Sequence, residues 1–510
     1  MVRPTVGRTD YQEEIATLNG VNIPYAAYCG ELGLPAPEHN CGRRGDGVTP
    51  WPMRAPARRA RSARCLGFAL QTPCGASAIQ CPQHAKAADR IGARPPSSRQ
   101  DHARMTLVPS TVAPAAGILG MALDPPARNS RIARARRHRR RPQAASRAHD
   151  MGPRAAGEAA TRWLERAQDC SASGGGVAGG FGLLRGWAPS YPETTGYIVP
   201  TILEVAKLTG REDLIVRARK MLDWLVAIQL PDGGFQAGMI GQTPVVPTTF
   251  NTGQILIGLA RGAVEFGDPK YIAAMHAAAR FLRDSQDADG AWRKHPSPFS
   301  WPGDKAYEAH VAWGLFEAER VAPGEGYGEA GLRQVRWAVA LQNSNGWFRD
   351  NGLEEPEIPL THTIGYVLRG VVEAYRLSRD RTFFEAALRT ATALGKCLEP
   401  DGRIAGRLDA KWRPADSYTC LTGIVQIAAC WFLLADMGGP PEFIGFAKRA
   451  NAYVRRTMHE GGDPDTAGGV KGSHPIEGEY GRFEYLNWAT KFLIDSCLLE
   501  LRDADTAGTR

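Results

Sequence analysis

The strongest constraint on the fold of this chain is an internal repeat of about 57 residues that runs through residues 151–510. An aromatic residue, an apolar residue, three further residues and a glutamine recur together, and the glutamines are Gln168, Gln229, Gln286 and Gln342. Glycine turns recur with the same period, one copy being skipped, at Gly210, Gly267, Gly324 and Gly438. Such a period is typical of architectures in which each unit buries its apolar face against its neighbours. The sequence therefore predicts six repeat units.

Each unit is predicted to contain two helices of different character. Residues 214–228 separate into an apolar face and a charged face at helical spacing, as an amphipathic outer helix does. The partner segments are apolar on most of their circumference and must be buried, and they are residues 197–208, 252–264, 309–318, 364–377, 421–437 and 487–499. Six buried helices inside six amphipathic ones predict an all-α protein, an (α/α)6 toroid. An open solenoid would need polar caps at both ends, which the sequence does not show.

Residues 1–150 differ in composition and are predicted to form a mostly disordered extension ahead of a toroid domain at 151–510. They carry 23 basic and 10 acidic side chains, whereas residues 151–510 carry 39 and 43. Residues 42–150 are rich in Arg, Ala, Pro and Ser without a helical or strand period, so little apolar surface can be buried. A short helix and turn is expected in residues 10–34. Because the basic excess lies in the extension, the toroid is not expected to bind nucleic acid.

The ten cysteines show neither zinc-ligand spacing nor the density of a disulfide scaffold. We therefore expect reduced thiols in a cytoplasmic protein, with no metal and no cofactor. The first residues lack the apolar segment of a secretory signal. No run reaches the roughly 18 uninterrupted apolar residues of a membrane span, so none is predicted.

The Gln-x-x-Asp-Gly-x-aromatic turns resemble the repeats of terpenoid cyclase and prenyltransferase toroids. The predicted architecture is also similar to that of six-hairpin glycosidases and of several polysaccharide lyases. Over residues 163–500 the chain most resembles a family of uncharacterised bacterial toroid proteins associated with surface-glycan biosynthesis loci. The matching stretches are residues 192–197, 361–364, 417–423 and 471–473. The resemblance implies the toroid fold and leaves the activity open, because this fold hosts unrelated chemistries.

The loops that enter the buried helices are long, and the turns that leave them are short. All six long loops are therefore expected on one face, around the N-termini of the buried helices, where functional residues concentrate. Six helix N-termini at one mouth favour an anionic substrate. The polar residues at these steps could also be helix caps or satisfied core groups, and we expect Thr249, Thr361 and Ser417 to be caps.

Ionisable residues beside apolar runs are costly to bury, which makes them candidates for chemistry. The candidate catalytic residues are Glu193, Glu308, His362, Asp416 and Tyr418. Aromatic residues in loops suit stacking on sugar rings, and cations or amides suit a carboxylate. The candidate substrate-binding residues are Trp187, Tyr197, Asn251, His310, Arg407, Lys471 and Asn487.

These residues favour a carbohydrate-active enzyme whose partner is an anionic oligo- or polysaccharide. Hydrolysis would use two of the carboxylates. Elimination or epimerisation at a uronate would use Tyr418 or His362 as the base and a cation or amide to neutralise the carboxylate. Sequence alone leaves these routes open. The alternatives are a terpenoid cyclase or prenyltransferase, although the toroid lacks an Asp-x-Asp-Asp string, and a non-catalytic glycan-binding toroid.

Overall fold

The computed structural model describes residues 149–459 and 461–508, and the strands β1 (Ile15–Leu18) and β2 (Val21–Pro24). These two strands pair in antiparallel fashion, with Leu18 opposite Val21. The expectation of a helix in residues 10–34 was wrong, because the Asn19-Gly20 dipeptide between two β-branched stretches is a hairpin signal. The predicted disorder of the rest of the extension lies outside the described residues and stays a prediction.

In the described residues, twelve α-helices alternate between an outer and an inner position. The outer helices are α1 (Gly152–Asp169), α3 (Glu212–Ile228), α5 (Pro269–Ser285), α7 (Tyr327–Ala340), α9 (Arg381–Cys397) and α11 (Glu442–Thr457). The inner helices are α2 (Pro192–Thr209), α4 (Thr249–Phe266), α6 (Ala309–Val321), α8 (Thr361–Ser378), α10 (Leu421–Asp436) and α12 (Asn487–Gly508). The six predicted buried segments coincide with the inner helices, the segment 421–437 running one residue past the end of α10.

The inner helices form a closed ring. Each packs against the next inner helix in the chain, and the last, α12, packs against both α2 and α1. Glycines allow the closest approaches, since a Cβ atom at Gly258 of α4 would lie 2.1 Å from the carbonyl oxygen of Gly196 of α2. The structure therefore confirms the predicted toroid, with its apolar core between the inner and outer rings.

The repeated glutamines connect neighbouring outer helices. The side-chain amide of Gln286 donates to the carbonyl of Gly290 in its own turn and to that of Ala330 on α7, both at 2.9 Å. Gln229 makes the same pair of bonds, to Gly233 and to Ala274 on α5. The amides of Gln168 and Gln342 reach the next outer helix at Arg217 and Ala386. The glutamines thus occupy equivalent places, as the repeat predicts.

The inner helices end in short turns with left-handed backbone. The C-cap residues Gly210 and Gly267 have φ values of 68° and 57°, a region that glycine adopts without strain. Arg379 takes the same place after α8, with φ 58°. The glycine of the repeat is absent at this turn because Arg379 adopts the left-handed conformation in its place.

The long loops lie together on the opposite face and are joined by short strands. Strand β3 (Gly180–Gly182) pairs with β4 (Gly186–Trp187) and with β7 (Glu484–Leu486), which connects the first long loop to the last. Strand β5 (Thr419–Cys420) pairs with β6 (Ser473–His474). These pairings join the first, fifth and sixth long loops above the N-termini of the inner helices.

The described residues also show the lengths of the apolar helices and the state of the cysteines. None of the described helices is both long and apolar enough to cross a membrane. The five described cysteines are free thiols, namely Cys170, Cys397, Cys420, Cys430 and Cys497.

Candidate active site

All six inner helices begin on the loop face, so the side chains at equivalent positions of these helices form two rings. The second residues of these helices form the upper ring, which consists of Glu193, Phe250, His310, His362, Thr422 and Trp488. The sixth residues form the lower ring, which consists of Tyr197, Gln254, Gly314, Tyr366, Gln426 and Phe492. Because a helix rises 1.5 Å per residue, the lower ring lies about 6 Å below the upper one.

Tyr366 of the lower ring lies at the centre of this arrangement. Its ring centroid is 4.3 Å from that of His362 and 4.5 Å from that of His310. Phe250 and Phe492 complete its surroundings at 5.1 and 6.2 Å. The two histidines, which begin neighbouring helices, therefore share one aromatic neighbour and face the same space.

The carboxyl of Glu193 is held beside this group. The Tyr191 hydroxyl donates to Glu193 Oε2 at 2.7 Å. Burial raises the pKa of Glu193 to about 7, and the hydrogen bond from Tyr191 opposes this shift. The charge of Glu193 also contributes to raising the pKa values of Tyr366, Tyr197 and Tyr480. The carboxyl therefore lies within the same cluster. A carboxyl with this pKa can serve as a proton donor near neutral pH.

Both histidines are paired with glutamines of the lower ring. His310 Nδ1 lies 2.6 Å from Gln254 Oε1 on α4, and His362 Nδ1 lies 2.7 Å from Gln426 Oε1 on α10. Burial lowers the pKa of His362 to about 4 against the raising effect of Gln426. Burial, followed by the charges of Arg369 and Lys491, lowers the pKa of His310 well below its usual value. At neutral pH both imidazoles are therefore uncharged and can accept a proton.

Glu308 lies to one side of the cluster, in a 3-10 turn (Ala306–Glu308) just before α6. Burial raises the pKa of Glu308 to about 8, and the nearby Lys305 ammonium opposes this. Tyr307 packs edge-on against Phe250 at 5.4 Å. Burial raises the pKa of Tyr307, and the charges of Glu308 and Glu193 raise it further. The two carboxyls are thus both within electrostatic reach of one phenol.

A second group of predicted residues lies in the loop before β5. Asp416 accepts the backbone N–H of Gly406 at 3.0 Å, and burial raises the pKa of Asp416 to about 6. Burial also raises the pKa of Tyr418, which the Arg407 charge opposes. Arg407 donates to the carbonyl of Ile358 at 3.1 Å. We call Asp416, Tyr418 and Arg407 the loop group.

The loop group is separated from the central cluster by a stretch of the last long loop. A Cβ atom at Gly478 would lie 2.8 Å from Tyr418, so the chain passes directly against that ring. Two residues later, the ring of Tyr480 lies 5.4 Å from that of His362. Glu193, His310, His362 and Tyr197 are therefore brought together, whereas Asp416, Tyr418 and Arg407 form a neighbouring site.

The other four predicted binding residues, Trp187, Asn251, Lys471 and Asn487, make hydrogen bonds to other parts of the protein. Trp187 packs at 5.3 Å from Trp163 and donates to Asp465 at 3.2 Å. The remaining three donate to the main chain, with Asn251 bonded to Gln236, Lys471 to Thr457 and Asn487 to Ala178. A substrate contact by any of these four stays a prediction.

The helix caps expected at Thr249 and Thr361 are not formed. Neither α4 nor α8 has a side-chain hydrogen bond at its N-cap, and the Thr361 hydroxyl instead donates to the carbonyl of Gly406 at 3.2 Å. Ser417 precedes β5 and lies outside any helix start. The caps were predicted one residue too late or at the wrong element, because the inner helices begin directly from extended chain.

Sequence reasoning missed several members of the central cluster, namely Tyr191, Gln254, Tyr366, Gln426 and Tyr480. A usable signal existed, because Tyr197, Gln254, Tyr366 and Gln426 share one helix register. Each of them sits in an apolar helix, where a polar side chain resembles a satisfied core residue. Only the arrangement of the inner helices in a ring shows that residues in this register meet at the central cluster.

A separate cleft lies outside these rings. It has a volume of about 810 Å³ and lies between α9 and the loops on either side of it, with Leu388, Lys396, Cys397 and Trp412 among its walls. None of the predicted catalytic residues lines it. Within the described part of the chain, no group of three or more His, Cys, Asp or Glu side chains is placed to hold a metal ion.

No protein-family model matches this chain, and no curated protein matches it significantly. An unsaturated glucuronyl hydrolase specific for heparin matches 70% of this chain and 99% of its own, with TM-score 0.57 and 15% identity. A sugar epimerase from a ruminal bacterium matches 67% and 96%, with TM-score 0.55 and 14% identity. Cellobiose 2-epimerase from Bacillus thermoamylovorans matches 66% and 95%, with TM-score 0.54 and 11% identity. These similarities confirm the six-hairpin, glycosidase-like fold.

Proposed function

We propose that this protein is a carbohydrate-active enzyme that moves protons on an acidic sugar, with Glu193 as the acid and His362 as the base. One observation carries the proposal. Burial in the same pocket raises the pKa of Glu193 to about 7 and lowers the pKa of His362 to about 4. Two titratable groups whose environments displace their pKa values in this way are suited to opposite roles. At mildly acidic pH the carboxyl holds a proton while the imidazole does not.

This pair suits elimination or epimerisation at a uronate. Nε2 of His362 takes the proton from the carbon beside the sugar carboxylate. In an elimination, the electron pair forms a carbon–carbon double bond, the glycosidic C–O bond breaks, and Glu193 protonates the departing oxygen. In an epimerisation, a proton returns to the same carbon from its other face, and Glu193 is the group that holds one at mildly acidic pH.

The surroundings suit a saccharide that carries a negative charge. Partly exposed aromatic side chains, Tyr191, Phe250, Tyr480 and Trp488, surround the entrance and can stack on sugar rings. The N-termini of all six inner helices face the same space, which favours an anion. The structurally similar proteins include a glucuronyl hydrolase and sugar epimerases, which supports a saccharide substrate.

Hydrolysis is the second candidate. Glu193 and Glu308 both carry raised pKa values and both act electrostatically on Tyr307. Two carboxyls near one substrate group are what a glycosidase uses. In this reaction Glu193 would protonate the glycosidic oxygen, and Glu308, once ionised, would activate water or attack the sugar. Elimination or epimerisation is favoured because the histidines lie nearer the centre of the ring than Glu308 does.

The test uses the full chain with a panel of uronate-containing and neutral oligosaccharides. Elimination would produce the ultraviolet absorbance of an unsaturated uronate, hydrolysis would release saturated reducing sugars, and epimerisation in D2O would incorporate deuterium at one carbon. Glu193→Gln and His362→Ala should each lower turnover by roughly 10²–10⁴. Glu385→Gln, at an exposed position on α9, is the matched control and should have no effect.

Two outcomes would contradict the proposal. If no saccharide is converted or bound, the toroid is not a carbohydrate-active enzyme, and the terpenoid and non-catalytic alternatives return. If Tyr418→Phe abolishes turnover while His362→Ala leaves it unchanged, the base lies in the loop group.

A further inference from the structure

The cleft on the outside of the toroid takes no part in the chemistry proposed for the central cluster. Its volume of about 810 Å³ lies within the range of roughly 300–1,000 Å³ that small-molecule sites occupy. One wall is a face of α9 that runs from Leu388 to Cys397, which is about 14 Å of helix. The open space is therefore elongated, and we call it the α9 cleft.

A second wall is a loop that is tethered across the end of α9. The loop comprises residues 405–414, and its members in the wall are Ala405, Leu408, Lys411, Trp412 and Pro414. The Trp412 indole donates to the main-chain carbonyl of Asn345 at 3.0 Å, and the Asn345 side-chain amide donates to the carbonyl of Ala410 at 2.8 Å. Two reciprocal hydrogen bonds thus hold the loop against the turn that follows α7.

That turn departs from the repeat at one residue. The corresponding turns carry Asp232, Asp289 and Asp401, and each carboxylate accepts a backbone N–H two residues later. Asn345 makes the same bond through Oδ1, while its amide nitrogen donates to the loop. An aspartate at this position could not donate to Ala410 and would add a negative charge to the cleft wall. The asparagine thus fits both the turn and the cleft.

The α9 cleft carries an excess of positive charge. Its ionisable wall residues are Arg389, Lys396, Lys411 and Glu399. Glu399 is paired with Arg403 at 2.7 Å, and Arg389 donates to a glutamine of the repeat at 2.7 Å. Lys396 and Lys411 are exposed and form no ion pair with any described residue. Each of these two ammonium groups can therefore pair with an anionic group of a ligand.

Lys396 is not part of the repeat framework. In three successive units the glycine of the turn lies against the same place on the next outer helix, which is Ala277, Arg333 or Arg389. Lys396 follows Arg389 by seven residues, and the equivalent residues of the two preceding units are Asp284 and Ala340. Packing of the repeat therefore does not require a cation at this position.

Trp412 presents an aromatic surface from an uncommon backbone conformation. Its φ is 61°, in the left-handed region that a bulky side chain rarely adopts. The Asp409 carboxylate holds this turn by accepting the N–H groups of Lys411 and Arg413, both at 2.9 Å. Among the described residues, neither an aromatic ring nor a cation is stacked on the indole. Because the half-exposed indole lines the cleft, its open surface can stack on a ligand.

We propose that the α9 cleft is a second binding site, for an acidic oligosaccharide, apart from the acid and base at the centre of the ring. The apolar faces of the sugars stack on Trp412, and their acidic groups pair with Lys396 and Lys411. The side-chain hydroxyls of Ser344 and Thr392 line the same space and suit the sugar hydroxyls. This binding does not depend on the reaction assigned to the central cluster.

The spacing of the charges favours an oligosaccharide over a phosphate compound. Arg389 and Lys396 are seven residues apart on α9, which separates their Cα atoms by about 10 Å along the helix. Lys411 stands on the other wall. Cations distributed in this way suit charges carried by successive sugars, whereas a phosphate group concentrates its charge at one point.

The test is a lysine footprint on the full chain. The protein is acylated with an amine-reactive reagent, and mass spectrometry gives the labelling rate of each lysine with and without a probe. The probes are tetragalacturonate, a hyaluronate tetrasaccharide, neutral cellotetraose and inorganic sulfate. At about ten times Kd, an acidic tetrasaccharide in the cleft should slow the labelling of Lys396 and Lys411 by about tenfold. Lys220, exposed at the place on α3 that corresponds to Arg389, is the internal control and should label at an unchanged rate.

Variants test the two kinds of contact separately. Lys396→Glu/Lys411→Glu should weaken binding at the cleft by at least about tenfold, seen in calorimetry as the loss of one site per chain. Trp412→Gly removes the indole at a φ that glycine adopts freely and should weaken binding by about fivefold. Lys220→Glu is the matched control and should bind as wild type does. Melting temperatures show that each variant is folded.

Three outcomes would overturn the inference. Labelling of Lys396 and Lys411 that neither acidic tetrasaccharide slows would show that the cleft is not a saccharide site. Equal protection by cellotetraose would show that charge is not recognised, and equal protection by sulfate would show a site for simple anions. Failure of the proposed function is a separate result, because a chain that converts no saccharide and still shows the footprint keeps this site. A chain that converts saccharides without the footprint loses this site alone.

Discussion

Nδ1 of His362 lies 2.7 Å from Oε1 of Gln426, one helix further along the inner ring. With the amide oxygen as acceptor, the proton of the neutral imidazole stays on Nδ1, and Nε2 keeps its lone pair. The contact also fixes the plane of the ring beside Tyr366. The chemistry proposed for His362 therefore depends on a residue 64 positions away in sequence.

Replacing Gln426 should affect His362 without removing it. In Gln426→Leu, the lost hydrogen bond should lower kcat by about fivefold, since such a bond contributes about 1 kcal/mol. Gln426→Glu should place a carboxylate against Nδ1, raise the pKa of His362 and move the acidic limb of the pH–rate profile to higher pH. If both variants lose stability but keep the wild-type pH profile, Gln426 only supports packing.

The pH dependence of kcat/KM should be bell-shaped with its maximum between about 4 and about 7. His362 must be neutral to act as a base, so activity rises as pH passes its pKa of about 4. Glu193 must be protonated to act as an acid, so activity falls as pH passes its pKa of about 7. The measurement is kcat/KM across pH, which reports the free enzyme. Glu193→Gln should remove the alkaline limb, and an unchanged limb would assign it elsewhere.

Glu308→Gln should stabilise the protein at alkaline pH. The pKa of Glu308 is about 8 in the folded protein and near 4.5 when exposed. The unfolded chain thus releases this proton first, and the free energy of unfolding falls as pH rises between these values, by about 1.4 kcal/mol per pKa unit. Glutamine removes this loss, so the melting temperature of the variant should gain on wild type from pH 5 to pH 9. Glu385→Gln, at an exposed site, should show no such gain.

Gln286 should matter for stability and not for catalysis. Its amide nitrogen donates to Gly290 and Ala330, and truncation to alanine removes both bonds. Gln286→Ala should lower the free energy of unfolding by about 1–3 kcal/mol, measured by denaturant titration, with kcat unchanged. Gln286→Glu should be comparably destabilising, because an oxygen replaces the donating nitrogen. A fully stable glutamate variant would show that the donor bonds contribute little.

The boundary of the toroid should lie just before Asp150. Arg455 on α11 holds both carboxylate oxygens of Asp150, at 2.6 and 2.7 Å. A chain that starts at His149 should keep its helical circular dichroism and cooperative melt. A chain that starts at Gly152 should be less stable by about 1–3 kcal/mol, the usual loss for bonds between charged groups. If the chain that starts at His149 lost its cooperative melt, part of residues 1–148 would belong to the fold.

Much of the framework could be predicted from periodicity. The glutamines and glycines mark equivalent places because each unit meets the same neighbours, so a local pattern repeats wherever the packing repeats. The break in the glycine series at Arg379 was not predictable, because a left-handed conformation without glycine leaves no trace in sequence. The hairpin at residues 15–24 was not predicted, although the Asn19-Gly20 dipeptide is its local signal.

The sequence by itself determined six helical pairs, the burial of one helix in each pair and the face that carries the long loops, since these depend on hydrophobic pattern and loop length. It could not determine which polar side chains meet. Glu193, His310 and His362 converge because they are second residues of ring-arranged helices, whereas Lys471 and Asn487 bond to the main chain. The pKa values that suit Glu193 and His362 to chemistry arise from burial by residues distant in sequence. Ring closure alone creates that burial.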